Sequence, residues 1–114
     1  MNIRIKRVYE PRNEQDGKRV LVDRLWPRGL TKEKAGVDLW LKDIAPTTEL
    51  RKWFGHDPAR WEEFQKRYRD ELKKNVGSVS ILKREVESGP VTLLFGAKDE
   101  QHNEAVVLRS ILNH

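Results

Sequence analysis

Apolar residues recur with different periods along the chain, and each change of period marks an element. Ile3 and Ile5 alternate with Arg4 and Lys6 before Val8 and Tyr9, the two-residue period of a half-buried strand. The polar stretch Pro11 to Lys18 contains Asp16-Gly17 and reads as a turn. Arg19 to Trp26 opens with an apolar, β-rich run that predicts a second strand over 19–24. The two strands are candidates for a hairpin, although a long loop separates them. Pro27-Arg28-Gly29 forces a turn, and Thr31 caps a short helix that Gly36 ends. Leu39, Trp40 and Leu41 form a compact apolar patch, and Thr47 caps a helix carrying Leu50, Trp53 and Phe54.

The second half is more regular. Asp57-Pro58 supplies an N-cap and a first-turn proline, after which Trp61, Phe64, Tyr68 and Leu72 make a helical stripe. A further helix spans about Gly77 to Ser88 and stops at Gly89-Pro90. Val91 to Phe95 is a continuous apolar run, the pattern of a strand covered on both faces. A last helix runs from Asn103 to Leu112. The order reads β-β-α-α-α-β-α. It predicts one layered α/β domain over residues 1–114, with a short, mainly parallel sheet of about three strands covered by four or five helices.

Composition narrows the functional classes. At 114 residues the chain is one domain, and four Trp, three Phe and two Tyr provide core material for an otherwise polar sequence. The absence of cysteine removes disulfides, thiolate metal sites and a cysteine nucleophile. Met1 to Arg7 lacks the apolar run of a signal peptide, and no stretch has membrane-spanning length, so a cytoplasmic location is expected. The net charge of +5 is uneven. Residues 1–56 hold 13 Lys/Arg against 8 Asp/Glu, whereas the remainder holds 10 of each. Such an excess either solvates a mixed surface or attracts an anion.

Ligands of open α/β sheets bind beyond the carboxyl ends of the strands. The second predicted strand leads into Asp23, Arg24, Trp26 and Arg28, and the last leads into Asp99, His102 and Asn103. If these strands are parallel neighbours, the two segments lie side by side. Arg24 and Arg28 form a candidate fork for a phosphate or carboxylate, and Lys42 and Arg51 are further candidate cations. Gly29, just before the Thr31 helix start, offers backbone N–H groups to the same anion. Trp26 is a candidate stacking surface. Asp23, Asp99 and His102 are candidates for acid–base work, and His56 joins them if it faces the same cleft. Each residue also has a structural reading. Asp23-Arg24 fixes a strand end, Trp26 and Trp53 fill the core, Asn103 caps the last helix, and His56 precedes the capping Asp57.

No metal site is indicated: three histidines occur without a recognised ligand spacing, although Asp23, His56, Asp99 and His102 make a conceivable set. Phosphate-loop and dinucleotide fingerprints are absent, no Gly-x-Ser-x-Gly occurs, and no cofactor is implied. Several segments are distinctive: Val22-Asp23-Arg24-Leu25-Trp26-Pro27-Arg28-Gly29, Asp38 with Trp40 to Pro46, Leu50 to His56, and Asp99 with His102-Asn103-Glu104-Ala105. On these the chain resembles the YeaO-like family of uncharacterised bacterial proteins, domain of unknown function number 488. Thr47 stands where the family pattern has Ser, and Phe95 where it has Tyr. The resemblance implies a cytoplasmic, compact α/β protein and no activity. Three readings stay open. The first is a site that binds or acts on a small anionic ligand such as a nucleotide or sugar phosphate. The second is a nucleic-acid-binding or regulatory module, which no motif supports. The third is a partner-binding protein without chemistry. None involves a membrane.

Overall fold

The computed structural model describes residues 2–113. Four strands, β1 (Ile3–Arg7), β2 (Lys18–Leu21), β3 (Leu39–Trp40) and β4 (Val91–Phe95), form one sheet in the order β1-β4-β2-β3, and every pairing is parallel. Five helices surround it: α1 (Lys32–Ala35), α2 (Thr48–Phe54), α3 (Trp61–Lys74), α4 (Val76–Glu87) and α5 (Glu104–Leu112). No helix among the described residues is long and apolar enough to cross a membrane.

The sheet corrects two expectations. β1 and β2 are not a hairpin: β4 inserts between them, with Leu93 in register with both Ile5 and Val20. All five residues of β4 are buried, so this run needs a strand on either side and cover on both faces, and it takes the centre. The segment 8–17, including a 3-10 turn at Glu14–Asp16, is therefore a crossover rather than a hairpin loop. The sheet also has four strands, because Leu39-Trp40 pairs with Val20-Leu21. Two residues are too few to display a period, which is why they read only as an apolar patch.

The alternation along β2 divides the core. Val20 and Val22 join Leu93, Phe95 and the apolar sides of α2 to α5 in the larger cluster. Leu21 faces Val8, Ala35 and Leu94 on the other side, with Trp26, Leu30 and Val37 packed against them. In α3, Phe64, Tyr68 and Leu72 are buried as their spacing predicts.

A charged group sits at the start of β2. Arg19 is fully buried, and its guanidinium donates to Asp16 Oδ2 at 2.8 Å and to the carbonyls of Ala35, Gly36 and Glu10 at 2.8, 3.0 and 3.1 Å. Asp16 also accepts from Lys6 Nζ at 2.9 Å and from the Asn13 N–H at 3.0 Å. One ion cluster thus ties β1, the crossover, β2 and the end of α1 together. Neighbouring Gly17 has φ 62°, and a Cβ there would lie 2.3 Å from the Pro90 carbonyl oxygen, so only glycine lets β2 approach β4.

Removing one partner of a buried ion pair strands the other, so Arg19→Met should lower unfolding free energy by about 3–5 kcal/mol in urea melts. Burial pushes the Asp16 carboxyl up, but hydrogen bonds from Lys6, Arg19 and the Asn13 N–H outweigh it and hold it at about 2 instead of 3.8. A lowered folded-state value means this stability is complete above 3.8 and is lost as pH falls through 2. Asp16→Asn should flatten that acid limb, and an unchanged limb would contradict the assignment.

Candidate functional site

The parallel arrangement brings the carboxyl ends of β2 and β4 side by side, and a cavity of about 450 Å³ opens there. Its walls come from distant parts of the chain. The segment after β2 contributes Asp23, Arg24, Trp26 and Arg28, and the turn after β3 contributes Ala45 and Pro46. α2 and its end bring Arg51, Phe54 and His56, α3 brings Phe64, and the segment after β4 brings Gly96, His102, Asn103 and Glu104.

Of the candidate residues, Asp23, Arg24, Trp26, Arg28, Arg51, His56, His102 and Asn103 line this cavity. Two do not. Lys42 is exposed, with its ammonium 5.5 Å from the centroid of the Trp40 ring. Asp99 does not line the cavity but contacts His102: its Oδ2 lies 2.8 Å from His102 Nδ1, and its Oδ1 accepts the Gln101 and His102 N–H groups at 2.9 and 3.1 Å. Those backbone bonds, first that from Gln101, and the imidazole hold the Asp99 carboxyl below its usual range. With Nδ1 engaged, Nε2 is the nitrogen left for other partners. The imidazole also sits edge-on to Trp61 at 5.2 Å. Asn103 caps α5, accepting from the Val106 N–H at 3.2 Å.

The cations are held differently from one another. Arg24 donates to the carbonyls of Ala45 at 3.1 Å and Pro46 at 3.3 Å, and Asp43 is 4.0 Å away. Arg28 and Arg51 are exposed, and neither guanidinium has a carboxylate within salt-bridge distance among the described residues. α1 is a single turn whose Lys34 N–H is taken by Thr31 Oγ1, so its start adds little to the anion-binding capacity expected of Gly29. Trp26 is half-buried: its Nε1–H donates to the Leu30 carbonyl at 2.8 Å, and its ring meets Trp40 edge-on at 5.4 Å. Trp53 lies partly buried against the core, with Arg67 4.3 Å over its ring, and is not part of the cavity. His56 has φ 57° directly after left-handed Gly55, a strained backbone at the cavity rim.

Glu104 is the cavity residue that sequence reasoning missed. As the first residue of α5 it reads as a partner for the helix dipole. Its side chain instead meets Asp23, from the segment after β2. Burial first, then the charge of Asp23 and a hydrogen bond to it, raise the Glu104 carboxyl well above 4.5. Glu104 is thereby biased towards its protonated form. Asp23 Oδ2 also accepts the Gly96 N–H at 2.8 Å, and a Cβ on Gly96 would stand 3.0 Å from that oxygen. Among the described residues no three His, Asp or Glu side chains converge as metal ligands.

Fold and cavity together define a small parallel α/β domain with a mixed cationic and carboxylic cavity at the carboxyl ends of two neighbouring strands. The chain belongs to the family described as the Inactive DUF488-N3 subclade, whose model matches residues 2–114. It is 44% identical over 108 residues to the uncharacterised protein YeaO of Escherichia coli K12, covering 95% of this chain and 94% of that protein. Uncharacterised proteins of Mycobacterium tuberculosis and Mycobacterium bovis are each 40% identical over 111 residues, covering 97% of this chain and 93% of theirs. No solved structure matches the chain.

Because the folded state keeps the Glu104 proton at a pH where the unfolded chain releases it, this contribution to stability is complete below 4.5 and declines as pH rises towards the folded value. Glu104→Gln donates to Asp23 without titrating. Relative to the parent chain it should gain stability as pH rises above 4.5, read from urea melts. Parallel stability curves would show that the Glu104 carboxyl is not raised in the folded state.

Proposed function

We propose that this chain binds a small phosphate-bearing ligand in the cavity at the carboxyl ends of β2 and β4, and that it holds the ligand without turning it over. The observation that carries this reading is the imbalance of charge around one cavity. Three arginines, Arg24, Arg28 and Arg51, line it with only two carboxyl groups, Asp23 and Glu104, the second of them biased towards its protonated form. Two of those guanidiniums have no carboxylate partner among the described residues. An arginine fork matches a phosphate in shape and charge, and an anion in a partly desolvated cavity gains more from it than in open water.

The size of the site favours a small ligand over a nucleic-acid backbone or a flat partner surface. Its volume of about 450 Å³ falls within the roughly 300–1,000 Å³ usual for small-molecule sites. Retention rather than turnover agrees with the description of the subclade as inactive. His102, with one ring nitrogen tied to Asp99, then serves as an oriented donor or acceptor to the ligand.

Calorimetric titration at low salt with inorganic phosphate, ribose 5-phosphate and nucleoside 5′-monophosphates tests this reading. Saturable binding at or below about 1 mM is expected, and Arg28→Ala and Arg51→Ala should each weaken it about tenfold without shifting Tm. Mass spectrometry of the recovered ligand should show it unchanged. Heats that do not saturate for any of these compounds, or both variants binding like the parent, would overturn the proposal.

A further inference from the structure

Resting on that reading, we propose that His102 holds the phosphate through Nε2 as an imidazolium, oriented by Asp99, so that the ligand is taken up together with a proton. Three features of the imidazole carry this. Its Nδ1 lies 2.8 Å from Asp99 Oδ2 and its ring stands edge-on to Trp61 at 5.2 Å, so its orientation is set from two sides. His102 lines the cavity and Asp99 does not, so the nitrogen left for a ligand is Nε2. Nε2 has no hydrogen-bond partner among the described residues, and no buried side-chain nitrogen or oxygen among them is unpaired. Solvent therefore reaches Nε2.

The two oxygens of Asp99 have separate tasks. Oδ1 accepts the Gln101 and His102 N–H groups, and the Asp99 carbonyl accepts from Asn103 Nδ2 at 2.9 Å. The turn into α5 is thus complete without Oδ2, which is left for the imidazole. An ionised carboxylate only accepts, so the proton of the neutral ring resides on Nδ1 and Nε2 presents a lone pair. The oxygens of a phosphate dianion repel that lone pair, whereas protonation turns Nε2 into a charge-assisted donor. The other charged groups lining the cavity are Arg24, Arg28, Arg51, His56, Asp23 and Glu104. From α3 come Trp61 and Phe64, which do not titrate. The arginines keep their charge at neutral pH, so the titrations to be separated from that of His102 are those of His56 and the two acids.

The probe is ribose 5-phosphate, because a phosphate monoester loses its second proton near about pH 6 and stays a dianion above neutrality. Calorimetry on the intact chain should show its affinity falling about tenfold between about pH 7 and about pH 8.5. His102→Gln offers a donor that does not titrate. Asp99→Asn keeps the Oδ1 acceptor but turns an amide N–H to Nδ1, which moves the ring proton to Nε2. In both variants the affinity should change less than about twofold over that range, whereas His56→Gln and Glu104→Gln should keep the fall. A purely structural Asp99 would shift Tm and leave the fall in place. Should Asp99→Asn unfold, nitrogen-15 NMR of the parent chain decides. The His102 proton should sit on Nδ1 in the free protein at about pH 8.5, and both nitrogens should carry one in the complex at about pH 7. Equal affinities at the two pH values, or a fall that survives in His102→Gln, would overturn the proton coupling and leave the phosphate site standing. A fall lost in His56→Gln or Glu104→Gln would assign the proton elsewhere and also overturn it. If ribose 5-phosphate binds at neither pH, both readings fall.

Discussion

The structure depends on one buried charge. Arg19 opens β2 with its guanidinium entirely out of solvent, and such a charge is tolerated only when its hydrogen-bonding capacity is met. Asp16 and three backbone carbonyls meet it, and in doing so they fix where the β1–β2 crossover passes and where α1 ends. Lys6 on β1 reaches the same carboxylate. β2 is thereby held two places from β1, leaving the slot that β4 fills. A parallel sheet with a late-arriving central strand needs such a fixed gap, because β4 comes some seventy residues after β2 in sequence.

The cavity follows from that gap. With β2 and β4 adjacent and parallel, Asp23 and the Glu104 side chain emerge at the same level, and the Gly96 N–H locks the carboxylate in place. α2 and α3 cross behind them and bring Arg51, Phe54 and Phe64 to the same space. At this point burial and the neighbouring Asp23 bias Glu104 towards its protonated form, which lowers the negative charge set against the three arginines. Chemistry and architecture are thus coupled: the residue that starts α5 also sets the electrostatics of the site.

Much of this was readable from local pattern. The apolar stripe of α3, the caps Thr31, Thr47 and Asn103, and the continuous run of β4 each carry their information within a dozen residues. The polar segments following the second and last strands were readable for the same reason, since ligand sites in such sheets lie at strand ends. What escaped the sequence was most of the pairing between particular distant residues. Glu104 looks like an ordinary first-turn acid until β2 places Asp23 against it. Arg19 reads only as the first residue of a strand until the crossover buries it, and Leu39-Trp40 becomes a strand only by pairing with β2. Lys42, close in sequence to cavity residues, lies outside the cavity because the turn before Ala45 directs it over Trp40.

By itself the sequence determined the class of fold, the positions of the helices and the two segments that line the cavity. Periodicity, capping and the placement of Gly and Pro are short-range properties, governed by sterics and hydrogen bonding within a turn or two. Tertiary structure alone decided the strand order, the cavity, and the pairing of Asp23 with Glu104. Those depend on which apolar surfaces bury one another and on what burial then does to the charges trapped between them. Neither is written in any single stretch of the chain.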